Sequence, residues 1–235
     1  MLNEHDREIG RFAWVMAWVG LVVGQLHALA RFRTEDGKED LELPLTAAWA
    51  EPADDLLAPL LGWADPAVVY VTYGKIWFPV FLAFTLCALV VYRRRRPTGF
   101  EKWSWRLAIG VYAAACVGVF LDYWTQWTGS YNGDGVEALL FTIGTWITFP
   151  ALLLMLLTTT LLGATLLIKR FRPVLPALLL ALMIPLAIGI TMVTSLGSAA
   201  LPVMFAFGIL GRRIARAEAT APGVGESLEP APARL

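Results

Sequence analysis

Two histidines and two cysteines are the whole of this 235-residue chain's supply of the strongest metal- and redox-active side chains. His5 stands near the amino terminus and only His27 lies in an apolar stretch. The paired intramembrane histidines of a b-type haem are therefore missing, as is an H-E-x-x-H zinc helix. Cys87 and Cys116 stand singly inside apolar segments, without a C-x-x-C, and read as small packing groups. The chain has no Walker A loop, no G-x-S-x-G and no lysine deep in an apolar segment to carry a Schiff base. The acidic run 35–40 lacks the spaced ligands of an EF-hand loop, so no metal site is expected, and no motif names a cofactor. Net charge is absent too, nineteen basic residues cancelling nineteen acidic ones. Nucleic acid is not an expected partner, since the single basic run, 93–96, has a topological explanation.

Apolar surface is what the chain has in excess. Hydrophobic residues make up 57% of it and mean hydropathy is +0.61, against ~45–50% apolar in a soluble domain. A spanning helix needs ~20 mostly apolar residues, because lipid offers the backbone no hydrogen-bond partner. Six stretches qualify: 12–30, 75–92, 106–127, 136–168, 174–193 and 198–214. The expected fold class is all-α, a polytopic membrane helix bundle of six transmembrane helices, or five if the last two form one helix.

Loop charge orients the bundle, since loops that stay in the cytoplasm keep Lys and Arg. Residues 93–106 carry six basic residues against Glu101, and Lys169, Arg170 and Arg172 mark the next cytoplasmic loop. Residues 31–75 instead hold four basic and nine acidic residues, which places them outside. A turn at 195–198 keeps Arg212, Arg213 and Arg216 inside, so both termini are expected in the cytoplasm. The division that follows is a cytoplasmic 1–11, a bundle over 12–214 that includes an extracytoplasmic segment 31–74, and a disordered cytoplasmic tail 215–235. Ala28-Leu29-Ala30 before Arg31 has the small-x-small form of a signal-peptidase site, but the acidic residues of 1–11 favour a permanent first span.

Local signals refine the boundaries. Thr98-x-x-Glu101 and Asp134-x-x-Glu137 have the form of capping boxes. The segment ending at Ile168 is about 48 Å long by helical rise and contains Pro150, which predicts a tilt or kink, and Pro79, Pro185 and Pro202 offer further breaks. The outer segment is too short for an independent core. Pro52 as a first helical residue, Asp54 and Asp55 in the first turn, four leucines and Gly62 as a stop predict a short amphipathic helix, with Trp49, Trp63, Tyr70 and Tyr73 at the interface.

Ionisable groups at membrane depth are costly and therefore candidates for function. They gather toward the outer side, where Gln25, His27, Lys75, Asp122, Glu137 and Thr145 fall together, with Trp77, Trp124, Trp127 and Trp146 as apolar walls. Small-residue seams add a geometry. Gly20 and Gly24 share a face with His27 and Arg31, and Gly110, Ala114 and Gly118 lead to Asp122; if these seams pack on each other, His27 and Asp122 meet. Each residue also has a plainer role: Glu137 as a cap, Lys75 and Arg31 as snorkelling cations, His27 and Asp122 as headgroup contacts.

The expected function is non-enzymatic, a multi-pass protein of a bacterial-type plasma membrane that binds a small amphiphile or serves as an accessory subunit. Its expected partners are membrane lipids, a lipid-like small molecule or another membrane subunit. The alternative is a membrane-embedded enzyme acting on a lipid or quinone, with His27 as acid or base and Asp122 orienting it. A transporter is a third alternative, disfavoured because no internal repeat is visible.

Overall fold

The computed structural model describes residues 2–126 and 135–219, and its elements are all helical. In chain order they are α1 (Leu2–Phe32), a 3₁₀ segment Glu35–Glu42, α2 (Pro44–Leu61), α3 (Pro66–Gly74), α4 (Trp77–Arg95), α5 (Gly99–Trp124), α6 (Val136–Ile168), α7 (Val174–Ala181), α8 (Met183–Thr191), a second 3₁₀ segment Leu196–Ala200, and α9 (Leu201–Ala219). Five helical stretches are long and apolar enough to cross a membrane: His5–Phe32, Pro66–Arg95, Gly99–Trp124, Val136–Ile168 and Gly197–Ala217. The pair α7 and α8, bent by 65°, makes a sixth if it counts as one span.

Neighbouring long helices run antiparallel. Along α1 and α9, Gly10 meets Gly211, Ala17 meets Gly208 and Gln25 bonds Ser198. Between α1 and α4, Asp6 pairs with Arg94 at 2.9 Å at one end, while Gly24 packs on Trp77 at the other. Between α5 and α6, Ser104 faces Thr165, Tyr112 bonds Thr159 at 2.8 Å and Gly118 packs on Thr148. The main core lies where these helices converge, around the fully buried Trp105, Tyr112, Phe84 and Phe207. Its arginine-rich end is tied by Arg95 to Glu101, by the same guanidinium over the Phe171 ring at 5.0 Å, and by Arg212 over Trp14 at 4.7 Å.

The opposite end is capped by residues 33–74, which pack on the end of α1 in a second small core of Ala28, Leu29, Ala30, Phe32, Ala50, Leu61, Val69, Tyr70 and Val71. Ion pairs fasten this cap to the end of α1: Arg31 to Asp40 at 2.8 Å, and Arg33 to Asp54 through two hydrogen bonds of 2.6 and 2.9 Å. Asp54's carboxylate, bonded to it, raises the Arg33 pKa further. The cap is latched to the end of α8 as well, Thr46 donating to the Met192 carbonyl at 3.4 Å and Trp49 to that of Val193.

Several sequence expectations change here. The amphipathic helix starts at Pro44, so Pro52 is interior; the carbonyl it leaves unbonded belongs to exposed Ala48, where solvent can take its place. Tyr70 is not interfacial but buried against His27. The second apolar segment begins at Pro66, nine residues earlier than hydropathy indicated, because Asp65 caps α3 by accepting from the Ala67 amide at 2.9 Å. Thr98 is the N-cap of α5 but makes no side-chain cap bond, and Glu101 closes no box because its carboxylate is engaged by Arg95. The helix of the last segment continues to Ala219, through Ala-, Arg- and Glu-rich sequence of high helix propensity, rather than ending near 214. The Asp134 box, Trp127 and tail residues 220–235 lie outside the described residues.

The prolines act where the sequence placed them, with different outcomes. α6 continues through Pro150. Pro79 leaves the Lys75 carbonyl without its helical donor, and Trp124 Nε1 donates to that oxygen at 2.9 Å, pinning the end of α5 to the α3–α4 junction. Pro185 sits three residues past the bend at Leu182 and cannot bond the Ala181 carbonyl, which marks the 65° break.

Candidate functional site

A cavity of about 520 Å³ lies beneath the cap. Its size is that of small-molecule sites, ~300–1,000 Å³. One wall is a single stripe of α6, with Phe141, Thr145, Thr148, Phe149 and Leu152 at helical spacing. Asp122 and Tyr123 enter from the end of α5, Trp77 and Phe81 from α4, and Thr191, Thr194 and Ser195 from α8 and the turn beyond it. Arg31, Asp40, Leu43 and Thr46 form the roof.

His27 stands at the inner wall, 2% exposed and enclosed by aromatic rings. Tyr70 stacks on it at 4.5 Å, and Tyr123 and Trp77 meet it edge-on at 5.4 and 6.0 Å. Trp77 Nε1 donates to His27 Nδ1 at 3.1 Å. An imidazole nitrogen that accepts carries no proton, so this bond puts the ring proton on Nε2 and leaves Nε2–H as a donor of fixed direction.

Close helix contact sets Asp122 in place. A side chain at Gly144 would meet the Asp122 amide nitrogen at 3.0 Å and Leu121 Cβ at 2.9 Å, so only glycine lets α5 and α6 approach here. Four lining side chains then hold buried polar atoms that make no well-formed hydrogen bond among the described residues: His27 Nε2, Ser195 Oγ, and Asp122 Oδ1 and Thr148 Oγ1, which stand beside each other. A buried polar group left in that state costs ~1–3 kcal/mol. Together these side chains supply a donor, a carboxyl and two hydroxyls at the cavity wall. No three His, Cys, Asp or Glu side chains among the described residues are grouped to hold a metal ion.

Of the residues singled out from sequence, His27, Trp77, Asp122 and Thr145 line this cavity. Gln25 stands just behind it, accepting from Thr194 at 3.1 Å and donating to Ser198 at 3.3 Å. Lys75, Trp124, Glu137 and Trp146 are not on the lining. Trp124 is the donor to the Lys75 carbonyl, Glu137 lies in the first turn of α6, and Trp146 is 76% exposed on the outer face of that helix. The two glycine seams do not pack on each other. Gly20 and Gly24 pack on Met204 and Val80 of α9 and α4 and on Trp77, and Gly118 packs on α6, while nothing lies within 4 Å of a side chain at Gly110. His27 and Asp122 reach the same cavity by another route, through the α4 tryptophan and Tyr123. Sequence reasoning missed Tyr70, Tyr123 and the Arg31–Asp40 pair as parts of the site; the one signal was that Arg31 continues the face of His27.

No family model, curated protein or solved structure compared with this chain matches it.

Proposed function

We propose that this is a six-span membrane protein with both termini in the cytoplasm, and that the cavity beneath its extracytoplasmic cap binds a small amphiphilic molecule. The membrane reading is supported by the five apolar helices and the bent pair, whose course runs from the arginine-rich end to the cap. Loop charge supports the orientation. A membrane-impermeant thiol reagent applied to intact cells is expected to label Glu39→Cys and to leave Thr98→Cys unmodified until the cells are opened; the reverse pattern refutes the orientation.

One observation carries the binding reading: four of the side chains that line one mostly apolar cavity hold a buried polar atom without a well-formed hydrogen bond among the described residues. A ligand with a polar end and an apolar body relieves their desolvation and fills the aromatic remainder. Native mass spectrometry of the detergent-extracted chain is expected to show a retained small molecule, reduced about tenfold by Thr145→Trp, which fills the cavity from an exposed position. Equal occupancy in the variant, or a bare parent chain, rejects the reading. His27 Nε2 and Asp122 Oδ1 also suit acid–base work on a lipid or quinone. Turnover predicts substrate and product together on the parent chain and substrate alone on His27→Gln.

A further inference from the structure

Resting on the cavity's role as a binding site, we infer that its ligand is a membrane-resident neutral lipid ending in a free hydroxyl, taken up sideways from the bilayer between α6 and α8. Charge comes first. The charged residues on the lining are Arg31, Asp40 and Asp122. Arg31 is held by Asp40 at 2.8 Å, so its charge is answered within the roof. Asp122 has no cation opposite it on that lining. A phosphate drawn into this space would meet the Asp122 carboxyl, and the one guanidinium on the lining, Arg31, already carries the Asp40 carboxylate on its Nε, so a buried anion is poorly compensated. A neutral polar end is therefore favoured over a phosphate.

Hydrogen-bond sense narrows the class further. His27 Nε2 offers a proton, because Nδ1 is occupied by accepting from Trp77, and Asp122 Oδ1 offers an oxygen. Thr148 and Ser195 hydroxyls serve in either role. A ligand end that both accepts and donates meets this set, whereas an ester or ether end only accepts and leaves the carboxyl with the neighbouring Thr148 hydroxyl alone. A terminal hydroxyl is the smallest group that does both. Diacylglycerols and polyprenols share it.

The route follows from the bend in α7–α8. α7 packs closely against α6 at Gly163, and beyond the 65° break α8, more loosely packed on α6, leads to the turn under the cap. The roof is held together by the Arg31–Asp40 pair and by the bonds from Thr46 and Trp49 to the end of α8, and of its lining residues Leu43 is 45% exposed. The α6 side is not closed: Thr145 and Phe149 line the cavity and are exposed, Phe149 by 59%. Around them the outer surface is apolar, with Trp146, Ile188 and Met192 all more than half exposed. These residues lie on or beside the apolar helices, so the solvent at this gap is hydrocarbon. About 520 Å³ accepts a polar end and the start of a tail, with the rest of the lipid remaining in the bilayer.

The test uses the full chain in phosphatidylcholine nanodiscs doped with dioleoylglycerol, with a polyprenol, or with dioleoylphosphatidic acid, and measures lipid retained per chain after transfer to detergent. At least one hydroxyl lipid is expected to be retained about tenfold over phosphatidic acid, and which one identifies the tail. Asp122→Asn is expected to narrow that preference, which a purely structural aspartate would not do. Loading from doped vesicles is expected to slow about tenfold in Thr145→Trp and not in Leu43→Trp, which crowds the roof instead. Equal retention of phosphatidic acid, an unchanged preference in Asp122→Asn, or slowing by Leu43→Trp alone overturns the inference. If neither hydroxyl lipid is retained, the inference falls by itself so long as the native adduct is still lost in Thr145→Trp; the cavity then binds something else.

Discussion

Gly211→Val is expected to cost the bundle about 3 kcal/mol or more, enough to prevent recovery of a monodisperse protein. A side chain at Gly211 would stand 2.5 Å from the Gly10 carbonyl oxygen and 3.0 Å from its Cα. Those obstacles are backbone atoms of α1, which cannot rotate aside, so α1 and α9 must separate along their length. Separation would undo the packing of Ala13 and Ala17 against Gly208, and would draw Gln25 from Ser198 at the far end. Valine is a better helix former than glycine, so intrinsic propensity works against the predicted loss. Gly110→Val is the control, because nothing lies within 4 Å of its side-chain position. That variant is expected within about 0.5 kcal/mol of the parent. Thermal unfolding in detergent, followed by circular dichroism and size exclusion, reads both. A Gly211→Val melting within about 4 °C of the parent would show that the helices yield.

That contact also shows which features the sequence made legible. Hydropathy locates long helices because lipid forces each span to be apolar for ~20 residues, so all six segments correspond to helical stretches. Small residues announce close approach but not the partner. Gly20 and Gly24 were visible as a seam, yet whether they faced α5 or the α4–α9 pair depends on the arrangement of the whole bundle. Depth along a span brought His27, Trp77, Asp122 and Thr145 to one level, and the cavity joins them there. Depth says nothing of azimuth, which is why Trp146, one residue from Thr145, is turned outward. The cap was harder to read, since a 3₁₀ segment and a helix with interior prolines carry no strong period, and the contacts that seat Tyr70 on His27 link residues far apart in the chain.

Trp77 joins stability to the proposed binding, and its replacement separates the two. The side chain is 3% exposed, fills the space beside Gly24 and Gly197, and donates to His27. Trp77→Ala is expected to cost roughly 3–5 kcal/mol through the cavity it leaves. Trp77→Phe keeps most of the ring volume but removes the donor, so the buried His27 Nδ1 loses its partner at a cost of ~1–3 kcal/mol. The ring then has no bond that fixes the proton on Nε2, and that donor loses its set direction. Ligand retention should therefore fall about tenfold in Trp77→Phe, a larger loss than its modest change in melting temperature accounts for. In His27→Gln the same tryptophan substitution should add little further loss of retention, because the residue through which it acts is already gone. Independent, additive losses in the double variant would mean that Trp77 contributes by packing alone, and that the imidazole's orientation has no part in holding the ligand.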